Sequence, residues 1–128
     1  MKLETLVEDF FEAGKRAASS KDREELHQFR IAAKRLRYTI EILDPKGGGD
    51  WLRRLKVVQE ELGNMNDAFV AEQFLRELPS RSLQARRLPV ELRAEAHAHI
   101  AAFQKTWQRR FGQRTEKAWL TWARSVEE

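Results

Sequence analysis

Between Leu26 and Leu43 the apolar residues recur every third or fourth position, and that spacing dictates what the segment can become. At 100° per residue, Leu26, Phe29, Ala32, Ala33, Leu36, Ile40 and Leu43 fall within about 120° of arc, an ordinary core-facing helical stripe. The adjoining arc, about 100° wide, holds Arg23, His27, Arg30, Lys34, Arg37, Tyr38 and Glu41. A line of cations with one imidazole and one phenol therefore runs beside the buried face, along the flank where a groove or a partner sits. Arg30 with Lys34, and Lys34 with Arg37, are like-charged neighbours at helical spacing, each pair costing about 0.3 kcal/mol. A solubilising helix surface alternates sign along its rows. Here the only acid on the arc able to help is Glu41, one turn past Arg37. The alternative is a solvated face that happens to be one-signed, but the length of the stripe favours an anionic ligand.

The same spacing organises the rest of the chain. A first helix uses Leu3, Leu6, Val7, Phe10, Phe11, Gly14, Ala17 and Ala18 and ends near Ser19-Ser20. The second opens on Asp22 and Glu25 in capping-box spacing and runs to about Leu43, where Asp44-Pro45-Lys46-Gly47-Gly48-Gly49 breaks the chain. Asp50 is the expected N-cap of a third segment, with Trp51, Leu55, Val58, Leu62, Met65 and Phe69 on its buried face. Gly63 interrupts it with a kink or a close approach. Apolar spacing resumes through Phe74, Leu75 and Leu78, and Pro79 closes the segment. Ser80 to Leu88 reads as a basic loop, and Pro89 suits the first turn of a last, long helix. That helix presents Leu92, Ala96, Ile100, Phe103, Trp107, Phe111, Ala118, Trp122 and Val126, with Gly112 as the place for a bend. No strand alternation interrupts the pattern. The expectation is one all-α domain over residues 1–128, an antiparallel bundle of four helices. Trp51, Trp107, Trp119 and Trp122 are read as core or interface residues, on or near apolar stripes.

Composition narrows the function classes. The chain has no cysteine, which excludes disulfides and thiolate metal sites. Its start, Met1-Lys2-Leu3-Glu4, does not resemble a signal peptide, and no apolar run approaches the roughly 20 residues of a membrane span, so the expected compartment is the cytoplasm. The net charge is only +4. Residues 1–78 carry 14 Lys/Arg against 15 Asp/Glu and residues 79–128 carry 10 against 5, so the organised stripe matters more than the sum. Arg53, Arg54 and Lys56, and later Arg109, Arg110, Arg114 and Lys117, read as solvated faces that could extend a polyanion track.

No nucleophile–base pair, Gly-rich phosphate cradle or P-loop is present, and the chain is read as a binding protein, not an enzyme, with no cofactor. Glu24-x-x-His27 has the spacing used in di-iron bundles, but no second copy exists, and Glu24 points away from the apolar face. His97 and His99, two apart, point in different directions on a helix. Arg offers bidentate contact to phosphate oxygens, Lys a mobile point charge, and His27 and Tyr38 further donors. Such a row suits a linear phosphate chain. Nucleic-acid backbone binding is the nearest competitor, without a recognisable base-reading module. Asp67 with Asn64 and Asn66 either orients a stripe residue or caps a helix broken at Gly63.

His27-x-x-Arg30-x-x-x-Lys34-Arg35-Leu36-Arg37-Tyr38-x-x-Glu41 resembles the signature helix of the CHAD domain, the conserved-histidine α-helical domain. Leu55-Lys56-Val57-Val58-Gln59-Glu60-Glu61-Leu62-Gly63-Asn64-Met65-Asn66-Asp67-Ala68 is similar to its next block, a leucine/glutamine helix ending in Leu-Gly and then an Asp. The resemblance covers roughly residues 22–78, with a signature helix at about 22–43 and a second block at about 51–78. It implies an all-helical domain that binds inorganic polyphosphate, often in proteins associated with polyphosphate granules. By the motif, His27, Arg30, Lys34, Arg37 and Tyr38 are the binding positions, and Arg23 joins them by periodicity. The family is built from two similar four-helix halves facing a central groove. This chain carries one stripe, worded more like the second half. The resemblance therefore implies a homodimer that restores the pair, or a fragment lacking its first half.

Overall fold

A computed structural model describes residues 2–43, 49–79 and 82–127. Five helices account for nearly all of them: α1 (Leu3–Ala18), α2 (Arg23–Leu43), α3 (Gly49–Glu77), α4 (Leu83–Arg110) and α5 (Gln113–Glu127). No strand occurs among the described residues. The expected all-α bundle is what forms, and the long last helix is divided in two.

Side-chain pairs at opposite ends of each interface show that neighbours run antiparallel. Arg37 meets Gln59 at one end of the α2/α3 seam and Arg23 meets Phe69 at the other. Across α3/α4, Arg54 reaches the Arg110 carbonyl and Glu72 pairs with Arg93. Lys15 binds Glu116 at 2.9 Å and Glu4 binds Arg124 at 2.8 Å, so α5 also runs against α1. It therefore continues α4 beyond the break at Phe111-Gly112.

That break shifts the apolar register. Ala96, Ile100, Phe103, Trp107 and Phe111 are buried as the spacing requires. Beyond it the buried pair is Trp119 and Ala123, while Ala118 and Val126 are exposed. The change is one residue, or about 100° of rotation. The expectation of one unbroken apolar stripe fails there for that reason.

An aromatic cluster fills the centre. Phe10 lies 5.1 Å from Phe29, 5.7 Å from Trp107 and 5.5 Å from Phe111, centroid to centroid. Trp119 stacks on Trp51 at 4.3 Å. Offset and edge-on pairs of this kind each add about 1 kcal/mol beyond the area they bury. Gly14 makes the cluster possible: a Cβ built there would lie 2.0 Å from Cη2 of Trp107. The indole rests directly on the α1 backbone, and only glycine leaves it room.

Local signals explain the remaining boundaries. The Asp22 carboxylate accepts the amide of Glu24 at 3.1 Å and so caps α2, as its sequence position suggests. Asp50 is not a cap, because α3 already includes Gly49; Asp50 pairs with Arg54 inside the first turn. Ser82 caps α4 through Ala85 N at 3.1 Å. The expected basic loop is therefore helical from Leu83, and Pro89 lies in the second turn. Leu83-Gln84-Ala85-Arg86-Arg87-Leu88 are good helix formers, and the cap lets them start before the proline. The Asp44–Gly48 part of the expected break, and Ser80 and Arg81, lie outside the described residues. At about 43 Å and 42 Å, α3 and α4 outrun α1 at about 24 Å. Phe74 and Leu78 are thus exposed instead of continuing the core, as is Leu43 at the end of α2.

Candidate functional site

Burial of Leu26, Phe29, Ala33, Leu36 and Ile40 fixes the rotation of α2. Its cationic flank then lies along α3. Both ends of the stripe are held. The Arg23 guanidinium sits 4.4 Å from the centroid of the Phe69 ring, a cation–π contact. Arg37 donates from Nη1 to Gln59 Oε1 at 2.8 Å and from Nε to Glu41 Oε1 at 3.0 Å, and its guanidinium lies 5.6 Å from the Tyr38 ring. From Arg23 to Tyr38 the row spans about 22 Å.

Between the anchors stand His27, Arg30 and Lys34. None of the three side chains has a hydrogen bond or ion pair among the described residues. His27 is exposed, while Arg30 and Lys34 are half-buried with their charged ends uncompensated. Arg23, His27 and Arg30 line a cleft of about 230 Å³ with Glu24, Met65 and Asn66. Lys34, Arg37 and Tyr38 lie beyond this cleft along the same helix flank. The six expected residues thus form a line with one concave end.

The opposite wall was largely missed by sequence reasoning. Gln59, Gly63 and Asn66 recur at helical spacing on the flank of α3 that meets α2. That polar 4/3 recurrence was the available signal. The helix continues through Gly63, and nothing lies within 4 Å of the position a Cβ would take, so neither an end nor a close approach explains the glycine. Asn66 lines the cleft. Asn64 and Asp67 do not: they lie on the α4 side with Glu95 and His99. One residue along a helix is about 100°, which separates Asp67 from its neighbour's face. Because α3 is unbroken, Asp67 is not a cap either.

Two acids outside the stripe are shifted by their surroundings. Glu72 is buried on α3; the hydrogen bond from Arg76 at 2.8 Å, reinforced by Arg93 on α4, lowers its pKa. Burial raises the pKa of Glu61, opposed by the hydroxyl of Thr106 at 2.8 Å. Glu24 and His27 share the stripe cleft, but Glu24 Oε1 accepts from Gln28 at 2.8 Å. Among the described residues no group of three or more His, Asp or Glu comes together as a metal-binding set. His97 lies edge-on to Phe69 at 5.9 Å, and His99 lies 3.7 Å from Glu95.

The family model of the CHAD domain matches residues 1–76, more than half of the chain. The chain belongs to the CHAD family. The match takes in α1, α2 and α3 up to Arg76, and so includes the whole stripe and its opposite wall. It reaches further towards the start than the signature helix alone suggested, and it stops before α4. CHAD domains are associated in general with polyphosphate binding. Comparison with curated proteins gave no match, and none was found among solved structures. No described helix is long and apolar enough to cross a membrane.

Proposed function

We propose that this CHAD protein binds linear inorganic polyphosphate along α2, with Arg23, His27, Arg30, Lys34, Arg37 and Tyr38 as donors. The observation that carries the reading is the uncompensated pair Arg30 and Lys34, half-buried between two anchored arginines. Uncompensated cations at helical spacing oppose their own helix, and a phosphate chain along the groove relieves that repulsion. The row is straight and offers no base-reading surface, which favours a bare phosphate polymer over a nucleic acid. Binding, not catalysis, is the role, and no cofactor takes part. A cytoplasmic place, at polyphosphate granules where these form, goes with this ligand.

The site works as half of a pair. Dimerisation does not draw on the aromatic residues of α1, α4 and α5, because Phe10, Phe11, Phe103, Trp107 and Trp119 are buried within this chain and Trp122 is partly so. Exposed apolar residues occur instead where α3 ends and α4 begins: Val70 and Phe74 share one face of α3, Leu78 follows its end, and Leu83 and Val90 share one face of α4. A second copy is the proposed occupant of that surface, since a two-fold pair covers the same patch on both chains and supplies a second stripe. Light scattering should then give twice the 15.1 kDa chain mass when polyphosphate is present. A monomer under those conditions contradicts the pairing.

Titrating the purified chain with long-chain polyphosphate and with duplex DNA of equal charge tests the ligand. Polyphosphate should bind more tightly, and its affinity should fall steeply between about 50 and 200 mM salt. Equal affinity for DNA would favour the nucleic-acid reading, and a salt-insensitive affinity would argue against a row of phosphate contacts.

A further inference from the structure

A second cationic cleft opens on the far flank of α3, about 180° around that helix from Gln59 and Asn66. It lies between the start of α3 and the end of α4 and encloses about 550 Å³, within the range of small-molecule sites. Arg53 and Arg54 of one basic cluster meet Arg109 and Arg110 of the other here, joined by Lys105. Lys56, Arg114 and Lys117 stay outside. The exposed apolar side of the cleft comes from Val57, which is 46% exposed, and from Ala102; Phe111 closes its floor but is buried in the core.

The charges in this cleft are unevenly committed. Arg54 is structural: Nη1 donates to the Arg110 carbonyl at 2.9 Å, closing the C-terminal end of α4, and Nε lies 3.3 Å from Asp50 Oδ2. That pair cancels Asp50. Glu61, the remaining acid of the cleft, accepts from the Thr106 hydroxyl at 2.8 Å. Arg53 makes one contact, to the Gly49 carbonyl at 3.3 Å. Lys105, Arg109 and Arg110 have no side-chain bond or ion pair among the described residues. Lys105 and Arg109 are like-charged i,i+4 neighbours and so repel.

We propose that this cleft binds a compact organic phosphate of the nucleoside di- or triphosphate class. Arg53, Lys105, Arg109 and Arg110 hold the phosphates, and the ring system rests on Val57 and Ala102. A bare phosphate chain has nothing to place on an apolar surface, whereas a nucleoside buries its ring there. The stripe on α2 is a line and suits a polymer; this cleft is compact and part apolar. The two sites therefore take different ligands.

The experiment is calorimetric titration of the full chain carrying Arg30→Glu and Lys34→Glu, so that the stripe cannot contribute. ATP and inorganic triphosphate are the probes. ATP should bind saturably and about tenfold more tightly than triphosphate, from burial of its ring. Adding Lys105→Glu and Arg109→Glu should weaken ATP binding by about tenfold or more; circular dichroism checks that the helices persist. Val57→Asp should abolish the preference for ATP over triphosphate. In the otherwise wild-type chain, the Lys105/Arg109 reversal should lower long-chain polyphosphate affinity far less than the Arg30/Lys34 reversal does. Absent ATP binding, equal affinity for ATP and triphosphate, or ATP affinity unmoved by the reversal would each overturn the proposal. A fall in polyphosphate affinity as large as that caused by the Arg30/Lys34 reversal would overturn it too, making the cleft part of the polymer track. Failure of polyphosphate to bind the wild-type stripe leaves the ATP and triphosphate outcomes unaffected.

Discussion

Two glycines mark the two sides of this bundle and show how differently they are built. Gly14 lies where α1 meets α4, and the Trp107 indole occupies the space its side chain would need. Gly63 lies where α3 faces the cationic stripe, with open space around it. On the first side aromatic rings pack against one another and against the α1 backbone, and stability comes from close packing. On the second side the wall is low and polar, and two cations have no partner among the described residues. A bundle can carry such an unfavourable row because the aromatic side supplies the stability that the row withholds. Packing is concentrated on one flank and the uncompensated cations on the other.

The same substitution at both glycines should break or sharpen this contrast. Gly14→Ala should destabilise the chain by about 3 kcal/mol in urea unfolding, the upper part of the usual overpacking range, because the clash is with a rigid ring. Polyphosphate binding should fail only as far as folding does. A near-neutral Gly14→Ala would mean that Trp107 has somewhere else to go. Gln59→Leu removes the acceptor that holds Arg37 and should cost about 1 kcal/mol of ligand affinity with helix content intact. An unchanged affinity would show that Arg37 needs no positioning from α3. Gly63→Ala should stabilise the helix by about 0.7 kcal/mol, since alanine fits without a contact. A loss of stability there would reveal a constraint on the groove wall that the open space does not suggest.

Acid titration probes the α3/α4 seam, where both shifted acids lie, and its effects are smaller. Glu72 has a lowered pKa, so its contribution to stability is present above the usual carboxylate value of 4.5 and is lost as pH falls through the folded value. Glu61 has a raised pKa and acts in the opposite sense: it opposes folding above its folded value and relaxes as pH falls towards 4.5. Unfolding curves from pH 7 down to about 3 should show acid loss of stability reduced in Glu72→Gln. Near pH 7, Glu61→Gln should be more stable than the wild-type chain, and the gap should close on acidification. Parallel profiles for all three proteins would contradict both assignments.

Much of the bundle was legible because helical periodicity is a local property. Leu26, Phe29, Leu36 and Ile40 stand where their spacing puts them, and the stripe follows by rotation. Ser82 and Gly112 were harder. The cap at Ser82 competes with the stronger proline signal at Pro89, and the loss of register at Gly112 depends on Trp119 finding Trp51 across the bundle. The stripe was readable as a row of unlike function, but not its opposite wall: Gln59 and Asn66 acquire meaning only when α3 lies against α2. The distant arginine clusters meeting across α3 and α4 also depend on tertiary register, which no local pattern encodes.

The most direct measurement is the affinity of long-chain polyphosphate for the wild-type chain and for the double variant Arg30→Glu, Lys34→Glu, by fluorescence or calorimetric titration at 100 mM salt. Neither side chain has a partner among the described residues, so the variant should keep its helical circular dichroism and its unfolding midpoint. Its affinity should drop by about a hundredfold or more, and its salt dependence should flatten, because two phosphate contacts become repulsive. A double variant that is folded and binds polyphosphate like the wild-type chain would contradict the account and put the site elsewhere.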